Sequence, residues 1–167
     1  RYRGVTGVQT CALPIYLRDG TVVGDGFLID EHGERWFRTA DLGRVEDGRL
    51  IVLGRRDDVI VTGGVNVAPA AVEAVLLALD EVDEVCVVGV PDAEWGQRVT
   101  AVVVPRPGRA PELDRLREAV ARSLGSASAP RALVLADSLP LRGPGKVDRS
   151  AVESLALGAP TTRVDRA

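Results

Sequence analysis

The sequence is poor in the residues that build metal and disulfide sites. It contains two cysteines, Cys11 and Cys86, and one histidine, His32. Two thiols make no disulfide framework, and with a single imidazole they leave too few ligands for a zinc centre. A clustered basic face is missing too: the net charge is -3 and the pI about 5.3. That balance argues against a nucleic-acid or anionic-membrane surface. Stretches such as "AVLLAL" fall well short of the roughly 20 residues that cross a bilayer, and no charged start followed by an apolar segment marks a signal peptide. The chain reads as cytoplasmic, with no nucleic-acid partner, no membrane span and no resident metal site.

Lysine is nearly missing. Of the 21 basic residues, 20 are arginine and one, Lys146, is lysine. A GC-rich genome drifts from lysine to arginine wherever a surface charge suffices. A lysine that remains is either a chance survivor or stands where a compact ammonium on a flexible stem does what a planar fork cannot. Composition alone leaves both readings open.

What is present suits a globular protein: 46% hydrophobic and 27% charged over 167 residues, enough for one or two small cores. "GRVEDGRLIVLG" predicts a hairpin turning at Asp47-Gly48. "VIVTGG" predicts a short strand running into paired glycines. "NVAPAAVEAVLLAL" predicts a helix with Pro69 in its first turn and Val72, Val75, Leu76 and Leu79 on one face. "EVCVVGV", "RVTAVVV" and "RALVLA" predict strands, and "PELDRLREAVARSLG" a helix with Leu113, Leu116, Val120 and Leu124 in its stripe, closed by Gly125. "DSLPLRGPG" reads as a loop and "DRSAVESLA" as a last helix capped by Asp148. Strands and helices alternate from Asp58 onward, an α+β unit of about a hundred residues. The tail from Gly158 is expected to be disordered.

Three places can carry chemistry. In "LPLRGPGKVDR", prolines and glycines ahead of Lys146 form a loop whose backbone can approach a ligand while the lysine reaches past it. It is not a Walker loop, because Pro140 and Val147 occupy positions that the phosphate-binding pattern reserves for Gly and Ser or Thr. A solvated turn is the plainer reading. In "VTGGVNVAPAAVE", Gly63-Gly64 between a strand and a helix either serves a turn of positive φ or lets a slender ligand run along bare backbone. In "WFRTADLG" and "LGRRDD", Asp41 and Arg55 are either surface charges or groups that hold a polar ligand such as a ribose.

In this order and spacing, "WFRTADLG", "LGRRDDVIVTGGVNVAPAAVE", "VVGVPDAEWGQRVTAVVV" and "LPLRGPGKVDR" resemble the carboxyl-terminal part of the acyl-adenylate-forming synthetases, a family that includes acyl-CoA synthetases, adenylation domains and luciferases. The resemblance runs from Tyr16 to about Val152. It implies that residues 16–57 are the end of a large AMP-binding domain, a β-subdomain with a hinge, and that residues 58–156 are a small mobile lid of mixed strands and helices, with 157–167 a tail. It further implies that Asp41 holds ribose hydroxyls and Arg55 lies beside the nucleotide. Asp57 would be the hinge, Gly63 and Gly64 would line the CoA channel, and Lys146 would be the catalytic lysine. The substrates implied are a small-molecule carboxylic acid, ATP and CoA, with Mg2+ bound mainly by the large domain. "VTGG" and "SASAPRALVLADSLPLRGPGKVDR" are similar to o-succinylbenzoate-CoA ligases of menaquinone biosynthesis. Fatty-acid or aryl-acid CoA ligases and peptide-synthetase adenylation domains share the motifs, whereas a non-catalytic α+β binding module would leave "GRRDD" and Lys146 without a role. Ala40 and Val65 depart from the residues that many members carry.

The resemblance begins at Tyr16, and the segment before it is foreign in composition. "VTGVQTCALPI", Val5 to Ile15, matches a common short-read sequencing adapter translated in frame. Residues 1–15 are therefore expected to lie outside the native protein and outside its fold, with a large domain expected upstream in the parent. The fragment alone is expected to be inactive.

Overall fold

A computed structural model describes residues 9–10, 17–18, 21–22, 27–29, 31–33, 35–38, 40–160 and 162–163. The chain divides into two compact units, Arg1–Asp57 and Asp58–Ala167. Among the described residues no helix is long and apolar enough to cross a membrane.

The first unit is built of short antiparallel pairings: β1 (Gln9–Thr10), β2 (Leu17–Arg18), β3 (Thr21–Val22), β4 (Phe27–Ile29), β5 (Arg35–Arg38), β6 (Asp41–Glu46) and β7 (Arg49–Arg55). β5 lies between β1 and β4, β2 pairs with β3, and β6 pairs with β7. The expected hairpin is β6–β7. Its turn residues Asp47 and Gly48 have φ of 48° and 74°, the left-handed pair that matches the twist of a two-residue hairpin. Gln9 and Thr10, within the segment expected to stand apart, are opposite Arg38 and Phe37. The rest of residues 1–15 lies outside the described residues.

The second unit comprises β8 (Ile60–Thr62), β9 (Val65–Val67), α1 (Pro69–Leu77), β10 (Val82–Asp92), β11 (Gly96–Pro105), α2 (Leu113–Leu124), β12 (Ala132–Leu135), α3 (Arg149–Gly158) and β13 (Thr162–Arg163). It is an α+β fold. Its mixed sheet runs β13-β12-β11-β8-β9, with β10 also on β11; β12 is parallel to β11, and β10 antiparallel. The two long strands read as nearly continuous apolar runs because both of their faces are covered. Val85, Val87, Val99, Ala101 and Val103 pack with Val72 and Leu76 of α1 and Leu116 and Val120 of α2. Cys86, Val88, Val90, Val102 and Val104 pack on the other face with Val152 and Ala156 of α3. Each fully buried Val or Leu contributes about 1.5–3 kcal/mol of transfer free energy, so this double-sided burial holds the unit together.

Three expectations about local structure change. The paired glycines do not lead from a strand into a helix; they turn β8 into β9, and the helix starts only at Pro69. Val65 and Val67 are β-branched and suit a short strand, and two left-handed glycines are the turn that such a hairpin needs. The stripe on α2 stops short as well, since Leu124 is exposed. The tail expected to be disordered instead carries α3 through Gly158 and places Thr162–Arg163 against β12, because the edge of β12 offers unpaired backbone groups.

Candidate functional site

In the first unit, β6 and β7 bring two of the sequence candidates face to face. Asp41 opens β6 and Arg55 closes β7, and they are opposite each other in the ladder. The backbone N–H of Arg56 donates to the carbonyl of Ala40 at 2.7 Å, which continues the pairing past Arg55. Asp57 follows in a short 3-10 turn, Arg56–Asp58, that spans the division between the units. Arg55 Nη2 reaches Asp57 Oδ2 at 3.5 Å, with both side chains more than half exposed. An exposed pair of that length contributes little stability, so both groups keep their capacity to engage a ligand.

In the second unit the candidates occupy two loops. Gly63 and Gly64 form the β8–β9 turn with φ of 54° and 78°. The backbone N–H of Gly63 donates to the carbonyl of Trp95 at 2.9 Å, and a Cβ added at Gly63 would stand 2.8 Å from Trp95 Cε3. The guanidinium carbon of Arg131 lies 3.7 Å from the centroid of the same ring, a cation–π contact. Gly64 is open, with nothing within 4 Å of an added Cβ. The turn thus has a packed side and a bare side.

Lys146 lies near the end of a longer excursion of the chain. Leu139 is buried in the α3 side of the core, the N–H of Asp148 donates to the carbonyl of Pro140 at 2.9 Å, and the N–H of Arg142 donates to the carbonyl of Lys146 at 2.6 Å. Between them Gly143 and Gly145 take φ of 68° and 74°, values at which any side chain would be strained. The loop therefore closes on itself and leaves Lys146 exposed. Among the described residues, no hydrogen bond or ion pair engages its ammonium, and none joins it to the glycine turn. Leu141 and Val147 beside the lysine and Val61 and Val65 beside the glycines are all exposed large hydrophobics.

Directly after the loop, Asp148 caps α3 by accepting from the N–H of Ala151 at 3.2 Å, and Arg149 enters a network that sequence reasoning did not single out. Its Nη2 donates to both carboxylate oxygens of Glu73, at 2.9 and 3.0 Å, and its Nη1 donates to the carbonyl of Val87 at 2.9 Å. Nε lies 3.4 Å from Asp58 Oδ2. Burial is the largest single influence and lowers the arginine's pKa, but Glu73, Cys86 and Asp58 together outweigh it and the net shift is upward. Glu73 also accepts from the N–H of Val87 at 2.8 Å. Under this cluster, burial pushes the Cys86 thiol up to about 11, against the opposing pull of Arg149. The clue in the sequence was an arginine three residues beyond the one lysine, in a chain with 20 arginines.

Among the described residues, no group of three or more His, Cys, Asp or Glu side chains could hold a metal ion. Both loops are equipped for polar or slender ligands through bare backbone and a free ammonium.

Residues 71–146 match the AMP-binding enzyme C-terminal domain family. The chain is 45% identical over 127 residues to a medium/long-chain-fatty-acid–CoA ligase of Mycobacterium tuberculosis, covering 71% of this chain and 22% of that protein. It is 47% identical over 121 residues to a probable 2-succinylbenzoate–CoA ligase of the same species, covering 70% of this chain and 32% of that protein. Among solved structures it is similar to the o-succinylbenzoate CoA synthetase of Bacillus subtilis in complex with its acyl-adenylate intermediate, with a TM-score of 0.66, 32% identity, and coverage of 75% of this chain and 25% of that one. The chain thus spans only about a fifth to a third of the length of the curated relatives it matches. A double-covered mixed sheet, a family match that ends on the single lysine, and this likeness in sequence and shape together identify residues 71–146 as belonging to the AMP-binding enzyme C-terminal domain family, the carboxyl-terminal domain of acyl-adenylate-forming enzymes.

Proposed function

We propose that this chain is the carboxyl-terminal part of an AMP-forming acyl-CoA ligase of the cytoplasm. In it, residues 16–57 end the large domain, residues 58–156 are the moving lid, and the acid most favoured is o-succinylbenzoate. The observation that carries the reading is Lys146: the one lysine of the chain, at the end of the family match, unpaired on a loop whose backbone is closed on both sides. In the first half-reaction a carboxylate oxygen attacks the α-phosphorus of ATP and pyrophosphate departs with the bonding pair. The ammonium of Lys146 stabilises the charge that gathers there and holds the acid in line. Asp41 accepts from the ribose hydroxyls, and Arg55 lies beside the nucleotide. In the second, the sulfur of CoA attacks the acyl carbon and AMP leaves. For this the lid turns about Asp57, withdraws Lys146 and presents the Gly63-Gly64 turn, along whose bare side the pantetheine arm passes. The exposed hydrophobics beside both loops suit surfaces that meet another part of the enzyme in turn. Mg2+, which would neutralise phosphate charge, would be held with the nucleotide by segments outside this chain.

In the full-length enzyme, Lys146→Ala should slow acyl-adenylate formation by about two to three orders of magnitude, the scale for one preorganised electrostatic group, and spare CoA attack on supplied acyl-adenylate. Gly64→Leu should do the reverse. Pyrophosphate release and CoA-ester formation are followed separately, and equal loss of both in Lys146→Ala, with the melting temperature unchanged, would sink the reading. A second reading, a fatty-acid–CoA ligase, has the 45% identical relative in its favour; turnover with a long-chain fatty acid but not with o-succinylbenzoate would select it.

A further inference from the structure

We infer that Arg149 is a positioning residue that makes the Lys146 loop and the first residue of the second unit one rigid piece. The inference rests on the function proposed above. One guanidinium spends every one of its nitrogens on a different element: Nη2 on Glu73 of α1, Nη1 on the carbonyl of Val87 in β10, and Nε toward Asp58. Arg149 is itself the first residue of α3, and its neighbour Asp148 both caps that helix and hydrogen-bonds back to Pro140 at the far side of the loop. The end of the lysine loop is therefore fixed to α1, to the central sheet and to Asp58. Asp58 directly follows Asp57, the proposed pivot. With Asp58 held to the body of its own unit, backbone rotation is confined to Asp57 instead of spreading into the next residues. Each swing of the lid then delivers the ammonium of Lys146 at one position. Glu73 holds Nη2 through both carboxylate oxygens and Val87 holds Nη1, and fixing two nitrogens of the planar fork locks the guanidinium plane. Lysine at position 149 cannot replace it, since a single ammonium cannot reach three separate acceptors in this geometry.

Two kinds of measurement separate this role from simple support of the fold. In the 167-residue chain, Arg149→Met should speed amide exchange at Arg142 and Asp148 at least tenfold while Val88 and Val102 in the central strands stay within about twofold. In the full-length enzyme, Asp58→Ala, which leaves the Glu73 and Val87 contacts in place, should lower kcat for acyl-adenylate formation about tenfold with KM for ATP within twofold. CoA attack on supplied acyl-adenylate, which the same pivot serves, should fall by a similar factor. Arg149→Lys should not restore the adenylation rate that Arg149→Met loses. Unchanged exchange at Arg142 and Asp148 in folded Arg149→Met would overturn the anchoring role. Rates within twofold of wild type in both half-reactions for Asp58→Ala would overturn the link to the pivot, and this variant decides the matter should Arg149→Met fail to fold. A wild-type enzyme that forms no acyl-adenylate from any carboxylic acid would instead overturn the proposed function, while the exchange at Arg142 and Asp148 would still report whether Arg149 anchors the loop.

Discussion

At the Gly63-Gly64 turn the chain reverses in two residues with the Trp95 ring against its backbone, whereas between Leu139 and Asp148 it makes a longer excursion. Both use left-handed glycines. The turn is held by local geometry and by close packing at Gly63 against the Trp95 ring, which involves no titratable group. The lysine loop is held at its ends, by a buried leucine, a helix cap and the charged network of Arg149. Short-range steric support resists pH and salt, while support by ion pairs and a capped helix is open to both. The two loops proposed to serve successive half-reactions should therefore fail under different insults.

The largest contrast should come from alkali. The folded Cys86 thiol, beside Arg149, titrates near 11 rather than 9.0 because it is buried. A folded pKa above the unfolded one means that the stabilisation is complete below pH 9 and is lost as pH climbs from 9 toward 11, a decline of about 3 kcal/mol. Chemical unfolding at a series of pH values should show that decline, and Cys86→Ala should flatten it. A wild-type curve that is level from pH 8.5 to 11 would remove the distinction between the two supports on this side.

Gly63→Ala tests the other side. It forces a side chain into a left-handed residue and against Trp95, and should cost about 2–3 kcal/mol, read as a shift of the denaturation midpoint with unchanged slope. Gly64→Ala meets open space, so only the backbone strain remains, about 1 kcal/mol. Equal costs at the two glycines would mean that the Trp95 contact supports nothing. Of similar small size, Asp148→Ala should cost about 1 kcal/mol through the lost cap and should speed exchange in the lysine loop while leaving the glycine turn as it was. Smallest of all is the effect expected for Gln9 and Thr10: two ladder residues protect little, so their amides should exchange nearly as fast as in an unstructured peptide. Protection comparable with that of Val85 to Val90 would show that residues 1–15 belong to the fold.

Much of the second unit was legible because its strands and helices carry their burial in the sequence. "EVCVVGV" and "RVTAVVV" are apolar at every step since helices cover both faces, and the stripe of α1 predicted which of its residues reach the core. The turn at Asp47-Gly48 was legible for a backbone reason, a residue pair that tolerates positive φ. The glycine pair misled because Val65–Val67 is only three residues long and stops just before Pro69, so its strand character was hidden in the approach to a helix. The tail misled because Thr162–Arg163 has no apolar pattern of its own and pairs only because an edge of β12 is there to receive it.

Sequence by itself determined the local choices: where the glycines must stand, where Pro69 and Asp148 begin helices, which residues are apolar enough to be buried, and that one lysine stands alone. These follow from properties each residue carries wherever it is placed. Only the tertiary structure decided which arginine among 20 is singular, since Arg149 meets Val87 from 62 residues away and Glu73 from 76. The same holds for the ring behind Gly63 and for the thiol under the network. A long-range contact is made by the packing of whole elements, and no spacing within a single segment encodes it.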